Sequence, residues 1–265
     1  MSRRRSGRRR GSASQSRSPL NVYTNHQKIK RYQSIGMRLA LAGVVLLIIS
    51  AVLLFAVQNE MLAWIPLMLG VLVSGAGTYF INRWGREPLP EKRLPDALSF
   101  LGSWGVLLNH YGPVPHLLLT KRGLTILHSK QYEGEVRYDP KKSRWGSKFS
   151  LRRFYGQGMT AETVGNPTQE AEQLEAKVRA WLVDKVGADA PARIPVETIL
   201  LFMPPKTTFA FDEAPIPVAT PETIADRVKE LYAKHSNLPR DLYSELRAAL
   251  EAEVPASDHV DQAAE

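Results

Sequence analysis

The chain has 265 residues, with 35 Lys or Arg against 26 Asp or Glu for a net charge of +9, and no cysteine. The missing thiols exclude disulfides, Cys-based zinc sites and thiol catalysis, and they agree with a reducing compartment. Residues 1–36 hold ten of the basic groups and no acid, while 24 basic and 25 acidic residues lie beyond residue 38, Glu60 aside, so the overall charge alone argues for no nucleic-acid-binding domain.

Residues 1–36 are predicted to be a disordered basic tail. Its opening, MSRRRSGRRRGSASQSRSPL, is rich in Arg, Ser and Gly and has almost nothing apolar to bury. Beside a bilayer such a tail holds anionic lipid headgroups, at about 1 kcal/mol per basic residue near the surface. Phosphate contacts to RNA or DNA are its alternative role. Two uncharged apolar runs follow, Leu39 to Val57 and Met61 to Ile81, parted only by Gln58, Asn59 and Glu60. At about 1.5 Å per residue, either run crosses a hydrocarbon core of about 30 Å. The expectation is a transmembrane helical hairpin over 37–83, seated in the lipid bilayer. Arg and Lys concentrate on the cytoplasmic side of spans, so both termini are expected in the cytoplasm and the protein in the cell membrane with two spans. The first run is too long, and starts too late, for a signal peptide. Gly70 and Ser74 on the second run permit close helix approach.

Residues 84–95 read as a short stiff linker, since GREPLPEKRLP carries three prolines. About 180 residues follow Arg83, enough for one domain with a real core. Leu98, Leu101 and Val106 have helical spacing over Asp96 to Leu108. His116 to Thr120, Leu124 to Ser129 and Glu135 to Tyr138 are short apolar runs separated by Gly-bearing turns, the pattern of an antiparallel meander. Asn166-Pro167-Thr168 opens a helix over Gln169 to Val186, with Asn166 or Thr168 as its cap and Leu174, Val178, Trp181 and Leu182 on one face. Ile194 to Met203 reads as a buried strand, and Pro221 to His235 and Pro239 to Glu253 as amphipathic helices. The organisation expected is an α/β domain with a mixed sheet over 96–210, C-terminal helices over 211–255 and a disordered tail over 256–265.

Three strings, HLLLTKRGLTILHSKQYEGEV, NPTQEAEQLEAKVRAWL and IPVETILLFMPP, together resemble the nuclease-related domain, NERD, which belongs to the restriction-endonuclease-like folds. The resemblance spans roughly Asp96 to Pro205. It implies a divalent cation held by carboxylates at two strand positions, with a lysine beside them to position or deprotonate the attacking water. The first acid would fall on Pro115 and the second on His128; the lysine is Lys130, and Gln169 matches the family's glutamine at the start of the next helix. Asp96 stands where the family often has a glutamate. Both strand acids are therefore lost, and Mg²⁺ has no pair of anionic oxygens there. Neutral His128 suits a softer metal, but the spacing of His110 and His116 is not that of a zinc motif.

From Arg137 to Arg153, RYDPKKSRWGSKFSLRR holds seven basic residues and one acid, interleaved with Tyr138, Trp145 and Phe149. Arg137, Lys141, Lys142, Arg144, Lys148, Arg152 and Arg153, with Trp145 for stacking, have the composition that single-stranded nucleic acid uses. The bland alternative is a solvated hairpin whose aromatics turn inward. The reading with most support is a membrane-anchored NERD-like domain that no longer cuts. It would act as a binding or interaction module with nucleic acid as one candidate partner, with no metal or other cofactor. The alternative is a nuclease using Mg²⁺, Lys130, Gln169 and acids relocated to Glu133, Glu135 or Asp139. A purely structural role in the membrane is the third.

Overall fold

The computed structural model describes residues 20–56, 60–147 and 163–259. Two helices dominate its first third: α1, His26–Phe55, and α2, Glu60–Trp84. Both are long and apolar enough to cross a membrane. They pack along small residues repeating every seven positions, the buried Gly36, Gly43 and Ser50 of α1 against Ala63, Gly70 and Gly77 of α2. A seven-residue repeat keeps the contact seam on one side of each helix. A Cβ on Gly43 would stand 2.1 Å from Ser74 Oγ, and one on Gly77 2.3 Å from the Ala40 amide, so glycine sets the approach. Ser50 Oγ donates to the Ala63 carbonyl at 2.8 Å, tying the seam near the turn.

The six-stranded main sheet runs β1-β2-β3-β4-β7-β9. Its strands are β1 Asn21–Thr24, β2 Val106–Asn109, β3 His116–Thr120, β4 Gly123–Lys130, β7 Val196–Phe202 and β9 Val218–Ala219. The β2-β3 and β3-β4 pairs are antiparallel; β1-β2, β4-β7 and β7-β9 are parallel, so the sheet is mixed as expected. A second sheet joins β5, Glu135–Asp139, to β6, Arg144–Ser147, and β8, Thr208–Ala210.

Alternation along the strands sorts side chains onto two cores. Val106, Leu108, Leu117, Leu119, Leu124 and Ile126 face one side. There they meet Val178, Trp181 and Leu182 of α4, Pro167–Lys185, and Leu242, Leu246 and Leu250 of α7, Arg240–Glu251. Leu107, Leu118, Leu127, Ile199 and Leu201 face the other side. They pack on Leu94 of α3, Pro90–Ala97, on Leu98, and on Ile224, Val228 and Leu231 of α6, Ile224–Lys234. Each fully buried leucine contributes on the order of 1.5–3 kcal/mol. The short helix α5, Ala190–Arg193, leads into β7.

The structure differs from the sequence expectation in five places. The segment expected to be tail through residue 36 contains β1 and the first turns of α1, because Tyr23 buries its ring beside Leu108 and α7. Helix α3 occupies the expected linker, anchored by the fully buried Leu94. The helix expected over Asp96 to Leu108 is a 3-10 segment, Ser99–Trp104, followed by β2, since Gly102 has φ 57 and breaks any continuous helix. The C-terminal helices are not a separate unit: α6 and α7 cover opposite faces of the main sheet and β9 extends it. Ala256–His259, expected within a tail, is a 3-10 turn whose Asp258 accepts a hydrogen bond from the Tyr111 hydroxyl.

Candidate functional site

The alternation that turns Leu127 toward α3 and α6 turns Ile126 toward α4, and His128 and Lys130 continue on the α4 side. Opposite them, Asn166 caps α4 by accepting from the Gln169 amide, so the first helical turn stands over the end of β4. Glu170 completes the group. Its Oε2 accepts from Lys130 Nζ at 2.6 Å and from His128 Nε2 at 2.8 Å. A carboxylate oxygen only accepts, so His128 presents a protonated Nε2. The Lys130 and His128 side chains are 7% and 13% exposed, and that of Glu170 35%. Burial alone would push the Glu170 carboxyl up; the hydrogen bonds from His128 and Lys130, with their charge, hold it down at about 2. Gly165, at φ +66, passes so close that a Cβ there would lie 2.9 Å from Glu170 Oε1.

Of Lys130 and Gln169, the two residues that the resemblance put forward, the structure engages Lys130 with the neighbour of Gln169. Gln169 Oε1 turns back to Asn166 Nδ2 at 3.5 Å, and Glu170 is the side chain that reaches Lys130. The helical phase carried that signal, since Glu170 sits four residues before Leu174 and eight before Val178, both packed in the core below it. The acids proposed for relocation are engaged elsewhere. Glu133 pairs with Arg86 and Lys206, Glu135 with Arg137, and Asp139 accepts from the backbone of Lys141 and Lys142. Asp96 is exposed on α3.

The basic stretch divides. Lys141, Lys142 and Arg144 are exposed at the β5-β6 turn, while Arg137 is held by Glu135. Trp145 is corrected: it is 4% exposed, its Nε1 donates to Thr168 Oγ1 at 2.8 Å, and its ring packs on Tyr138 and Phe211. Packing on three sides leaves no ring face for a base. Lys148, Arg152 and Arg153 lie outside the described residues.

On the opposite face, Glu91 of α3, His110 after β2 and His116 of β3 converge, with one ligand-type atom from each within 4.8 Å of the others. The His110 and His116 ring centroids are 4.9 Å apart, and the Trp84 ring at the end of α2 lies 4.7 Å from His110. Burial, then the charges of Lys28 and Arg83, pushes the His110 imidazole down to about 4. Burial likewise pushes His116 down and Glu91 up. The sequence flagged both histidines but not Glu91, which three-dimensional folding brings from the expected linker.

Comparison with family models, with curated proteins and with solved structures returns no match.

Proposed function

We propose that the chain is a membrane-anchored protein whose nuclease-like α/β domain binds ligands in the cytoplasm and does not cut. One observation carries the reading: Lys130 and His128 both donate to a single oxygen of Glu170. A metal-dependent nuclease needs paired anionic oxygens for the cation and a lysine free to act on water. Here the carboxylate at the site is ion-paired with the lysine and shared with His128. Support for the membrane anchor comes from the outward faces of α1 and α2, where Leu41, Phe55, Met61, Ile65 and Leu72 are exposed. Such a surface is stable in lipid and costly in water. The basic flanks favour retention of both termini on the cytoplasmic side. Nucleic acid is the ligand proposed, taken by Lys141, Lys142 and Arg144 through its phosphates and joined by the basic N-terminal tail, which also rests on anionic lipid headgroups.

The test uses the untagged full chain in zwitterionic nanodiscs, with fluorescent single-stranded DNA and RNA. Substituting Lys141, Lys142 and Arg144 together by Glu is expected to weaken binding at least tenfold and to lower the salt slope by about 2, as three phosphate contacts on a single strand require. Equal binding by the triple variant would remove nucleic acid from the proposal. Strand cleavage with Mg²⁺ or Mn²⁺ that disappears in Lys130→Ala would overturn the non-cutting reading altogether.

A further inference from the structure

We infer that Glu91, His110 and His116 form a binding site for a zinc-type divalent cation, with three protein ligands and one position left for solvent. The inference is independent of the function proposed above, because the two sites lie on opposite faces of the sheet and share no residue. Two imidazole nitrogens and one carboxylate oxygen suit Zn²⁺ or Co²⁺, whereas Mg²⁺ and Ca²⁺ take oxygen ligands.

The second layer around His116 is built as a metal site requires. His116 Nδ1 lies 2.9 Å from Asn109 Oδ1, and Asn109 Nδ2 donates to Thr24 Oγ1 at 3.0 Å. With its nitrogen used on Thr24, the Asn109 amide turns its oxygen to His116 and can only accept. Nδ1 therefore carries the proton, and Nε2 keeps a lone pair. Fixing one ring nitrogen through a hydrogen bond so that the other can ligate is the usual support of a metal-binding histidine. His116 is 3% exposed, so this tautomer is held in the interior and not traded with bulk water.

His110 adds an independent sign. It is one of two non-glycine residues with positive φ among those described, at φ 63. A histidine there costs of order 1–3 kcal/mol of backbone strain and persists where the surroundings impose it. Its ring meets that of His116 edge-on, with centroids 4.9 Å apart. Glu91 brings the balancing charge: its carboxylate is half-buried, and no lysine or arginine is seen in an ion pair with it among the described residues. A cavity of about 70 Å³ opens beside the three, lined also by Arg83, Ser129 and Gln131, with room for a water or two. Arg83 and Lys28 oppose a cation, so the affinity is set by the two nitrogens more than by net charge. A tetrahedral ion at about 2.0–2.1 Å from each ligand would draw the three atoms to roughly 3.3 Å apart, within reach of torsions in the half-buried Glu91 and His110.

The consequence is mechanical. The ligands come from α3, the β2-β3 connection and β3, and the Trp84 ring at the end of α2 packs tilted against His110. A bound ion would therefore fasten the exit of the second apolar helix to the sheet.

The experiment strips the untagged full chain in detergent with chelator, then titrates Zn²⁺ by calorimetry and Co²⁺ by visible absorption. One equivalent is expected, with the intense bands of low-coordinate Co²⁺ and a raised Tm. His110→Gly removes a ligand and also relieves the positive φ, so the metal-free variant should melt at or above the parent while binding falls by more than about 100-fold; Asn109→Ala should cost about 10- to 100-fold. Glu91→Gln should behave as His110→Gly does in binding. Failure of the parent to bind either ion would overturn the assignment. So would binding that survives both His110→Gly and Glu91→Gln, or Mg²⁺ competing on equal terms with Zn²⁺.

Discussion

Lys130 and Glu170, 40 residues apart in the chain, meet at 2.6 Å with the ammonium inside and the carboxylate at the rim. The asymmetry dictates how the pair responds to mutation. Glu170→Gln leaves a buried ammonium without its counter-charge and should destabilise by about 2 kcal/mol, a figure discounted because the carboxylate is a third exposed. Lys130→Met leaves Glu170 with His128 and water and should cost less than half as much. Thermal melts of both single variants and the double variant measure this; a larger loss for Lys130→Met would show that the lysine is not the dependent partner.

The same pair sets an acid limb. The Glu170 carboxyl sits at about 2 in the folded protein, below its ordinary 4.5. A carboxyl lowered on folding contributes stability that is complete above its unfolded value and lost as pH falls through the folded one. The gap in Tm between the parent and Glu170→Gln should hold steady from pH 7 to about 5 and shrink between about pH 4.5 and 2. A gap that stays constant down to pH 3 would mean that the carboxyl is not held down by Lys130 and His128.

Much of this fold was readable in the sequence, and the failures have physical reasons. Strands β3, β4, β5 and β7 and helix α4 declare themselves through dense local signals, such as HLLLT before Lys121-Arg122-Gly123, or Asn166 before a periodic apolar face. Strand β1 offers only Val22 and Tyr23 within a polar, basic segment; its partners lie beyond residue 105, so nothing local marks it. Val106 has helical spacing with Leu98 and Leu101, yet it opens a strand in which Leu107 and Leu108 point to opposite cores. Lys130 was singled out through the resemblance and Glu170 was not, because only the glutamine beside it matched the family pattern. The Glu91, His110 and His116 group could not be assembled from spacing, since its members come from three separate elements.

The contact of α1 with α2 makes a sharp steric prediction. Gly43 has Ser74 Oγ, N and Cα within 2.8 Å of where its Cβ would be, whereas Gly75 has open space. Gly43→Leu must push the helices apart and should cost about 2 kcal/mol or more, with packing lost along the seam. Gly75→Ala removes a flexible glycine from a helix without a clash and should be neutral or stabilising by up to about 1 kcal/mol. Melting in one detergent checks the pair, and equal losses at the two sites would contradict the observed seam.

The absence of native cysteine permits a clean test of topology. A single thiol placed by Asn59→Cys, between the two apolar helices, and another by Lys142→Cys, on the exposed β5-β6 turn, report opposite sides if both helices cross the bilayer. The basic residues flanking the pair favour retention of both ends in the cytoplasm. A membrane-impermeant maleimide applied to intact cells should then label Asn59→Cys and leave Lys142→Cys untouched until the membrane is permeabilised. Labelling of Lys142→Cys in intact cells would invert the orientation. Equal protection of both thiols would mean that the apolar pair enters the bilayer without spanning it.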